Sequence, residues 1–145
     1  MPMVLFARDI VEPDFVSLPE DTDALEAAKK MKTTHHGFVV VVSPDGIPKG
    51  IVTEWDYLSK VVAENLVVSQ VKLKELMSTS LVTVSADEGI DEVVKTMAEK
   101  GIRRVLVLDK GKVIGAITSR TVLRRLEEYI DKISTQIARL NQPLF

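Results

Sequence analysis

The seven residues GIVTEWD at Gly50–Asp56 recur as GAITSRT at Gly115–Thr121, 65 positions further along the chain. In both stretches a glycine and two apolar residues precede a threonine, and a mainly polar run follows it. Apolar residues of this kind favour a strand, whereas a threonine before a polar run is a typical helix N-cap. Each stretch therefore predicts a strand that leads into a helix, and the duplication predicts two copies of one structural unit.

The repeat extends upstream of these stretches, where the matching residues lie 66 positions apart. Each copy has a short apolar strand, polar capping residues, apolar residues at three- and four-residue spacing, and a β-branched run. This order predicts a strand, a helix with one buried face, and a strand buried on both faces. The matched sets are Phe15–Leu18 with Leu81–Val84, Asp21–Asp23 with Asp87–Gly89, Ala24, Ala27, Ala28 and Met31 with Ile90, Val93, Val94 and Met97, and Phe38–Val42 with Arg104–Leu108.

A hairpin turn and a third strand complete the pattern, and the turn in the first copy is one residue longer. Second helices are predicted near Glu54–Asn65 and Ser119–Leu140. Each unit is thus β-α-β-β-α, and the fold class is α+β with an α/β-type repeat. Residues 1–68 form the first unit, 69–125 the second, and 126–145 a C-terminal helix extension and tail. A unit of about 60 residues is only marginally stable alone, so the two are expected to pack together and leave a cleft.

Composition restricts the class of protein further. The chain has 145 residues, 46% of them hydrophobic and 28% charged, which excludes a disordered polymer. The net charge of -2 makes nucleic acid an unexpected partner, although residues 69–145 carry +3 against -5 in residues 1–68. There is no cysteine, and no apolar run approaches the ~20 residues of a membrane span. We expect a soluble, cytoplasmic protein that does not contact a membrane.

Catalytic groups are not evident in the sequence. No nucleophile with its base, carboxylate pair or metal cage stands out, and the seven glycines form no phosphate-binding loop. His35 and His36 are adjacent, and neighbouring side chains on an extended chain diverge, so no metal site is expected there. We therefore expect no enzymatic activity and no catalytic cofactor.

The turn at Thr53–Asp56 is a candidate binding site. A helix N-terminus carries partial positive charge and suits a phosphate, and Thr53 adds a hydroxyl. The Asp56 carboxylate could accept hydrogen bonds from both hydroxyls of a ribose. The alternative is that Thr53 is an N-cap and that Asp56 only complements the helix dipole.

The two copies resemble the cystathionine-β-synthase (CBS) domain, and the chain resembles a stand-alone tandem CBS pair from Val4 to about Arg125. The resemblance rests on Gly50–Asp56, Gly115–Thr121, Leu76–Val84 and Gly101–Asp109, with Thr121 where the family pattern has aspartate. It implies two small sheets packed with pseudo-twofold symmetry, in which the N-terminal segment of one unit completes the other. It also implies two equivalent clefts for adenosine-containing ligands such as AMP, ADP, ATP or S-adenosylmethionine, and association of two pairs into a dimer.

The resemblance assigns residues to the two clefts. It favours ribose binding by Asp56, and it implies that the backbone of Lys72–Met77 reads the adenine edge. The second cleft is expected to be weak or empty, because the uncharged Thr121 can engage one ribose hydroxyl at most. The predicted main site comprises Thr53, Trp55, Asp56, Phe38, Arg103, Lys72, Leu73 and Met77, and the predicted second site comprises Thr118, Ser119, Thr121, Gly37, Arg104, Arg8 and Ile10.

We predict specific orientations or contacts for three of these residues. Arg103 and Arg104 are neighbours on a strand and should point to opposite faces, Arg103 toward the Asp56 cleft and Arg104 toward the Thr121 cleft. The alternative is that both are solvated strand-end residues or partners of acidic groups in the first half. Trp55 is expected to pack at the surface between the units, with stacking on a base as the alternative.

The last predicted helix carries an apolar seam with alternating steps of four and three residues, which is heptad-like. We expect this seam to pack on a second subunit, forming a homodimer, or on a protein partner of unknown identity. The alternative is that it folds back on its own chain. The seam consists of Leu126, Ile130, Ile133, Ile137 and Leu140.

Together these features indicate a regulatory sensor that binds an adenine nucleotide between its two units and transmits the ligand state to a partner. The alternatives are a ligand-free structural or oligomerisation module and an S-adenosylmethionine binder. The sequence leaves open the adenosine compound, its number of phosphates and the occupancy of each cleft.

Overall fold

The computed structural model describes residues 5–142, which form two three-stranded sheets of the same design. In each sheet the central strand pairs in parallel with the first strand and antiparallel with the third. The sheet orders are β1-β2-β3 and β4-β5-β6, as expected for two tandem units. The strands are β1 Val16–Pro19, β2 Phe38–Val42, β3 Pro48–Thr53, β4 Thr83–Ser85, β5 Arg104–Asp109 and β6 Lys112–Thr118.

Within residues 5–142, six α-helices accompany the sheets: α1 Ala7–Ile10, α2 Ala24–Thr34, α3 Glu54–Tyr57, α4 Leu73–Leu76, α5 Ile90–Lys100 and α6 Ser119–Leu140. A short 3-10 turn at Val68–Gln70 precedes α4. The predicted β-α-β-β-α order is confirmed in both repeats, and α6 has the predicted bounds. The helix predicted at residues 54–65 differs, because α3 passes at Leu58–Val62 into a π-helical turn. There the backbone N–H of Ala63 donates to the Leu58 carbonyl, five residues earlier.

Each hydrophobic core takes a segment from the other repeat. Val71, Leu73 and Leu76 are buried in the core of the first sheet, whereas Ala7 and Ile10 are buried in the core of the second. Two isolated bridges fasten each segment, Asp23 to Lys72 and Ile51 to Ser78 in the first unit, and Phe6 to Gly89 and Glu12 to Ala116 in the second. The sequence repeats at 1–68 and 69–125 are therefore interleaved in space.

The two sheets pack against each other through their inner faces. Phe38 and Val40 from the first sheet meet Leu106 and Ala116 from the second, and all four are buried. Val39, on the alternate face of β2, points into the core beneath the helices. The central strands are apolar on both faces because each lies between a helix layer and the opposite sheet.

Helix α6 extends beyond the sheet that it covers. Within the described residues its apolar seam stays uncovered, with exposures from 39% at Leu126 and Ile133 to 83% at Leu140. The alternative that the seam folds back on its own chain does not describe this structure. None of the helices in residues 5–142 combines the length and hydrophobicity needed to span a membrane.

Candidate functional site

The packing of the sheets leaves two clefts, and the first lies at the end of β3. It has a volume of about 370 Å³ and is lined by Thr53, Ser80 and Arg103, among apolar residues from both sheets. Arg104 also borders it. Thr53 belongs to the first repeat and Arg103 to the second, so a molecule in this cleft would touch both repeats.

Asp56 holds the turn that forms one edge of this region. The carboxylate is 8% exposed, and its Oδ2 accepts hydrogen bonds from the Thr53 backbone N–H at 2.8 Å and the Thr53 hydroxyl at 3.2 Å. Its Oδ1 lies 3.0 Å from Nζ of Lys60, which also donates to the Leu76 carbonyl at 2.8 Å. Thr53 is therefore the N-cap residue of α3, as the alternative proposed, and the Asp56 carboxylate binds its backbone N–H in a capping box instead of only complementing the helix dipole. Asp56 is not among the residues that line the cavity.

Several residues predicted for the main site lie elsewhere. The Leu73 side chain is fully buried in the first core, and Met77 packs against Gly50, so neither side chain lines the first cavity. Nζ of Lys72 lies 4.0 Å from Asp21 on the surface. Trp55 is 71% exposed, which corrects the expectation that it packs between the units.

Phe38 belongs to the second cleft instead of the first. Its ring lies on the inner face of β2, where the Arg104 guanidinium carbon is 4.3 Å from the ring centroid. Burial is the main influence on this guanidinium and lowers the pKa of Arg104, while the negative charge of Glu54 opposes the shift. The Nε atom of Arg104 is buried and has no hydrogen-bond partner in the described part of the chain.

The second cleft lies at the end of β6, in the position equivalent to the first, with a volume of about 430 Å³. Thr118 and Thr121 stand at its base, with their hydroxyl oxygens 2.9 Å apart, and the Thr118 hydroxyl accepts from the Thr121 backbone N–H at 3.1 Å. Thr121 is 5% exposed. Gly37 is also part of the lining, and a side chain there would collide with the Glu54 carboxylate.

Three other residues predicted for the second site do not line this cavity. Ser119 borders an apolar groove between α5 and α6 together with Leu123. Ile10 is buried in the second core. Arg8 pairs with Asp87 at 2.6 Å, and this hydrogen bond and charge raise the pKa of Arg8. An equivalent surface pair joins Lys74 to Asp21, where the ammonium lowers the pKa of the carboxyl.

Sequence reasoning missed several residues that line the second cleft. Arg120 and Arg124 lie one turn apart at the start of α6, and Glu12 forms an ion pair with Arg124. Nε2 of His36 is 3.3 Å from a carboxylate oxygen of Asp14. The spacing of the two arginines directly after Thr118 was a readable signal, because residues four apart share a helix face.

Metal ligands are not clustered in this part of the molecule. His35 ends α2 in a left-handed conformation with a φ of 58°, the position that Gly101 takes after α5. Across residues 5–142, no group of three or more His, Asp or Glu side chains is placed to hold a metal ion.

Comparison with known proteins identifies relatives of the repeat. The family model of the CBS domain matches residues 7–63 and 73–128. An uncharacterised protein of Methanopyrus kandleri is 36% identical over 123 residues, which cover 84% of this chain and 62% of that protein. A homoserine O-acetyltransferase of Methanohalobium evestigatum is 30% identical, and the match covers 86% of this chain but 24% of the enzyme. The chain thus spans less than two thirds of both relatives.

Solved structures share the arrangement of both repeats. The CBS domain pair of protein MJ0100, in complex with 5'-methylthioadenosine and S-adenosyl-L-methionine, has a TM-score of 0.75 and 26% identity, covering 88% of this chain and 99% of that one. A CBS domain protein of Pyrobaculum aerophilum, complexed with AMP, shares the fold with a TM-score of 0.72 and 24% identity, covering 81% and 89%. The chain belongs to the CBS domain family, and its two repeats form a tandem CBS pair.

Proposed function

We propose that this CBS pair is a regulatory module that binds an adenine nucleotide in the first cleft. The observation that carries the proposal is that Thr53 of one repeat and Arg103 of the other line one cavity, with Thr53 held in its turn by the Asp56 carboxylate. The related MJ0100 pair in complex with two adenosine compounds supports this ligand class.

The chemistry of the turn suits a nucleoside with a phosphate. Arg103 offers a planar cationic fork to phosphate oxygens, and Thr53 offers a hydroxyl. Asp56 would accept the ribose hydroxyls through Oδ1, and these hydroxyls would replace the Lys60 ammonium now 3.0 Å away. The predicted backbone contacts of Lys72–Met77 with the adenine edge stay part of the proposal.

Ligand binding would act on the relation between the repeats. A molecule that contacts Thr53 and Arg103 together favours the arrangement in which both contacts form, and so shifts the population of states. The exposed face of α6 is the surface through which a second subunit or a protein partner would sense that shift.

Calorimetry with AMP, ADP, ATP and S-adenosylmethionine tests the proposal. At 100 times its Kd, a bound ligand should also stabilise the fold by roughly 2.7 kcal/mol in thermal melts. Asp56→Asn should remove most of the affinity, because an amide oxygen can still cap α3 but carries no charge for the ribose hydroxyls. Asp45→Asn, in the exposed turn before β3, is the matched control and should bind as the parent does.

A structural or oligomerisation module is the second candidate. It is favoured by the uncovered seam of α6 and by Asp56, whose two oxygens already have partners within the chain. Absence of binding by every adenosine compound, or equal affinity in Asp56→Asn, would leave this candidate in place of the nucleotide sensor.

A further inference from the structure

We propose that the second cleft binds a polyphosphate group and does not require a ribose, so that the two clefts of this chain select different chemistry. The inference rests on the proposed function in treating the clefts as ligand sites, and it assigns a ligand class to the second one. Pseudo-twofold symmetry makes the two clefts equivalent in position, whereas their side chains differ in charge.

The first difference is in the turn next to each cleft, where Asp56 lies behind Thr53 without lining the first cavity and Thr121 lines the second. Asp56 offers only acceptors, which suit the hydroxyl donors of a sugar. Thr121 takes the equivalent place in the second cleft, and its hydroxyl lies 2.9 Å from that of Thr118. Within this pair one hydroxyl donates to the other, which leaves one hydroxyl hydrogen free for a ligand. Phosphate oxygens only accept hydrogen bonds, so this base is better matched to a phosphate than to a diol.

The second observation is an oriented guanidinium without an acceptor, which borders both cavities and stacks on Phe38 at the second. Arg104 is held over the Phe38 ring at 4.3 Å, and its buried Nε has no hydrogen-bond partner among residues 5–142. Leaving a buried charged donor unmatched is costly. The buried Nε is closed off from the cleft, but an anion there would compensate the charge of the guanidinium that borders it. Because packing on the ring fixes the plane of the guanidinium, little side-chain entropy would be lost on binding.

The third observation is the balance of charge around the cavity. Of its three arginines, Arg124 is neutralised by Glu12. Two further carboxylates lie nearby: Asp14 beside His36, and Glu54, which lies against Gly37 and acts on Arg104 through its charge. Arg120 is exposed and forms no ion pair within the described chain, so it and Arg104 are both available. A ligand with at least two negative charges would pair with Arg104 and Arg120 together, and the volume of about 430 Å³ accommodates linked phosphates.

Titration calorimetry with sodium pyrophosphate and sodium tripolyphosphate is the direct test, with adenosine as the ligand that carries the sugar but no phosphate. We expect both phosphates to bind the full chain with one site per chain. Arg120→Gln should weaken pyrophosphate binding by roughly tenfold or more, because a charge-assisted pair is lost at an exposed position that the fold does not need. Lys95→Gln, on the exposed face of α5, removes the same charge away from both clefts and should leave the affinity unchanged.

Thr121→Asp is the second variant, since it gives this cleft the carboxylate of the first. Repulsion of the anion should abolish pyrophosphate binding, and a thermal melt checks that the variant is folded. ATP titrated into Asp56→Asn, with and without pyrophosphate, distinguishes the source of the phosphate. If pyrophosphate weakens the binding of ATP to this variant, the cleft holds the phosphate chain of a nucleotide. If pyrophosphate binds and leaves ATP binding unchanged, the cleft is a site for free polyphosphate.

These experiments can contradict either the polyphosphate site or the proposed nucleotide site without contradicting the other. Pyrophosphate that does not bind, or that binds Arg120→Gln and Thr121→Asp as tightly as the parent, overturns the polyphosphate site and leaves nucleotide binding at Asp56 intact. Loss of adenosine-compound binding at Asp56, with pyrophosphate binding still sensitive to Arg120, overturns the proposed function alone.

Discussion

Phe38 and Arg104 occupy equivalent positions at the start of the two central strands, and in the folded chain they touch, with the guanidinium carbon 4.3 Å from the ring centroid. Two residues related by pseudo-twofold symmetry can meet only close to the axis itself. The first repeat supplies an aromatic ring there and the second supplies a cation. The side chains of the two clefts therefore differ in chemistry where the clefts approach the pseudo-twofold axis.

The first prediction concerns this pair. Phe38→Leu should lower the free energy of unfolding by about 1–2 kcal/mol, because a buried ring loses packing and the cation–π contact is removed. Urea denaturation measures the loss. A double-mutant cycle with Arg104→Met isolates the pair, and a coupling energy of zero would show that the two side chains are only neighbours.

The second prediction compares two glycines, each of which contacts the segment that the other repeat contributes to its unit. A side chain at Gly115 would collide with the Glu12 backbone carbonyl, and its φ of +157° is one that L residues rarely adopt. A side chain at Gly50 would lie 2.6 Å from Sδ of Met77, which is flexible. Gly115→Ala should therefore cost roughly 2–3 kcal/mol or more and Gly50→Ala about 1 kcal/mol, measured by chemical denaturation.

Gly50 also provides the control for this comparison. Met77→Ala should relieve the contact, so the double variant should lose less than the sum of the two single losses. Strict additivity would mean that Met77 is not what Gly50 accommodates.

The third prediction concerns alkaline pH. Burial, with a smaller contribution from Asp23, raises the pKa of Tyr57 from 10.0 to about 12, and the hydroxyl donates to the Ala24 carbonyl at 2.7 Å. Below pH 10 the residue is neutral in both states, so its contribution to stability is constant. Between pH 10 and about 12 the unfolded chain ionises first, and stability falls as pH rises.

Tyr57→Phe is the variant that tests this titration. At pH 8 it should be less stable than the parent by about 1 kcal/mol, because a hydrogen bond is lost. The difference should shrink as pH is raised toward 11.5, since phenylalanine does not ionise. Guanidinium denaturation at both pH values provides the measurement, and a difference that stays constant would contradict the shift.

The fourth prediction concerns the exposed seam of α6. Ile130 and Ile137 are 59% and 51% exposed on one stripe of the helix. If a second copy covers this stripe, Ile130→Asp with Ile137→Asp should convert a dimer into a monomer in light scattering. Thr135→Asp, on the opposite side of the same helix, should keep the mass of the parent. An unchanged mass in the double variant would exclude a homodimer through α6.

Local sequence was sufficient for most of the fold, because the signals were periodic. Alternating and β-branched runs marked the strands, and apolar steps of three and four marked α2 and α5. The turn at Thr53–Asp56 was also readable, since a cap needs only residues that are close in sequence. The π-helical turn after Tyr57 gave no such signal and was missed.

Whether a side chain enters a cleft or a core depends on contacts between residues that are far apart in the chain. Leu73 and Ile10 followed the apolar pattern but filled the cores of the opposite repeats, and Phe38 turned toward the second cleft.

By itself the sequence determined the duplication, the order of strands and helices, and the carboxylate that one repeat has and the other lacks, because each of these depends on residue type and local spacing. The tertiary structure alone decided which cations meet in one cavity. Arg104, Arg120 and Arg124 come together with Phe38 from the other repeat only when the two sheets pack, and no local pattern specifies that distance.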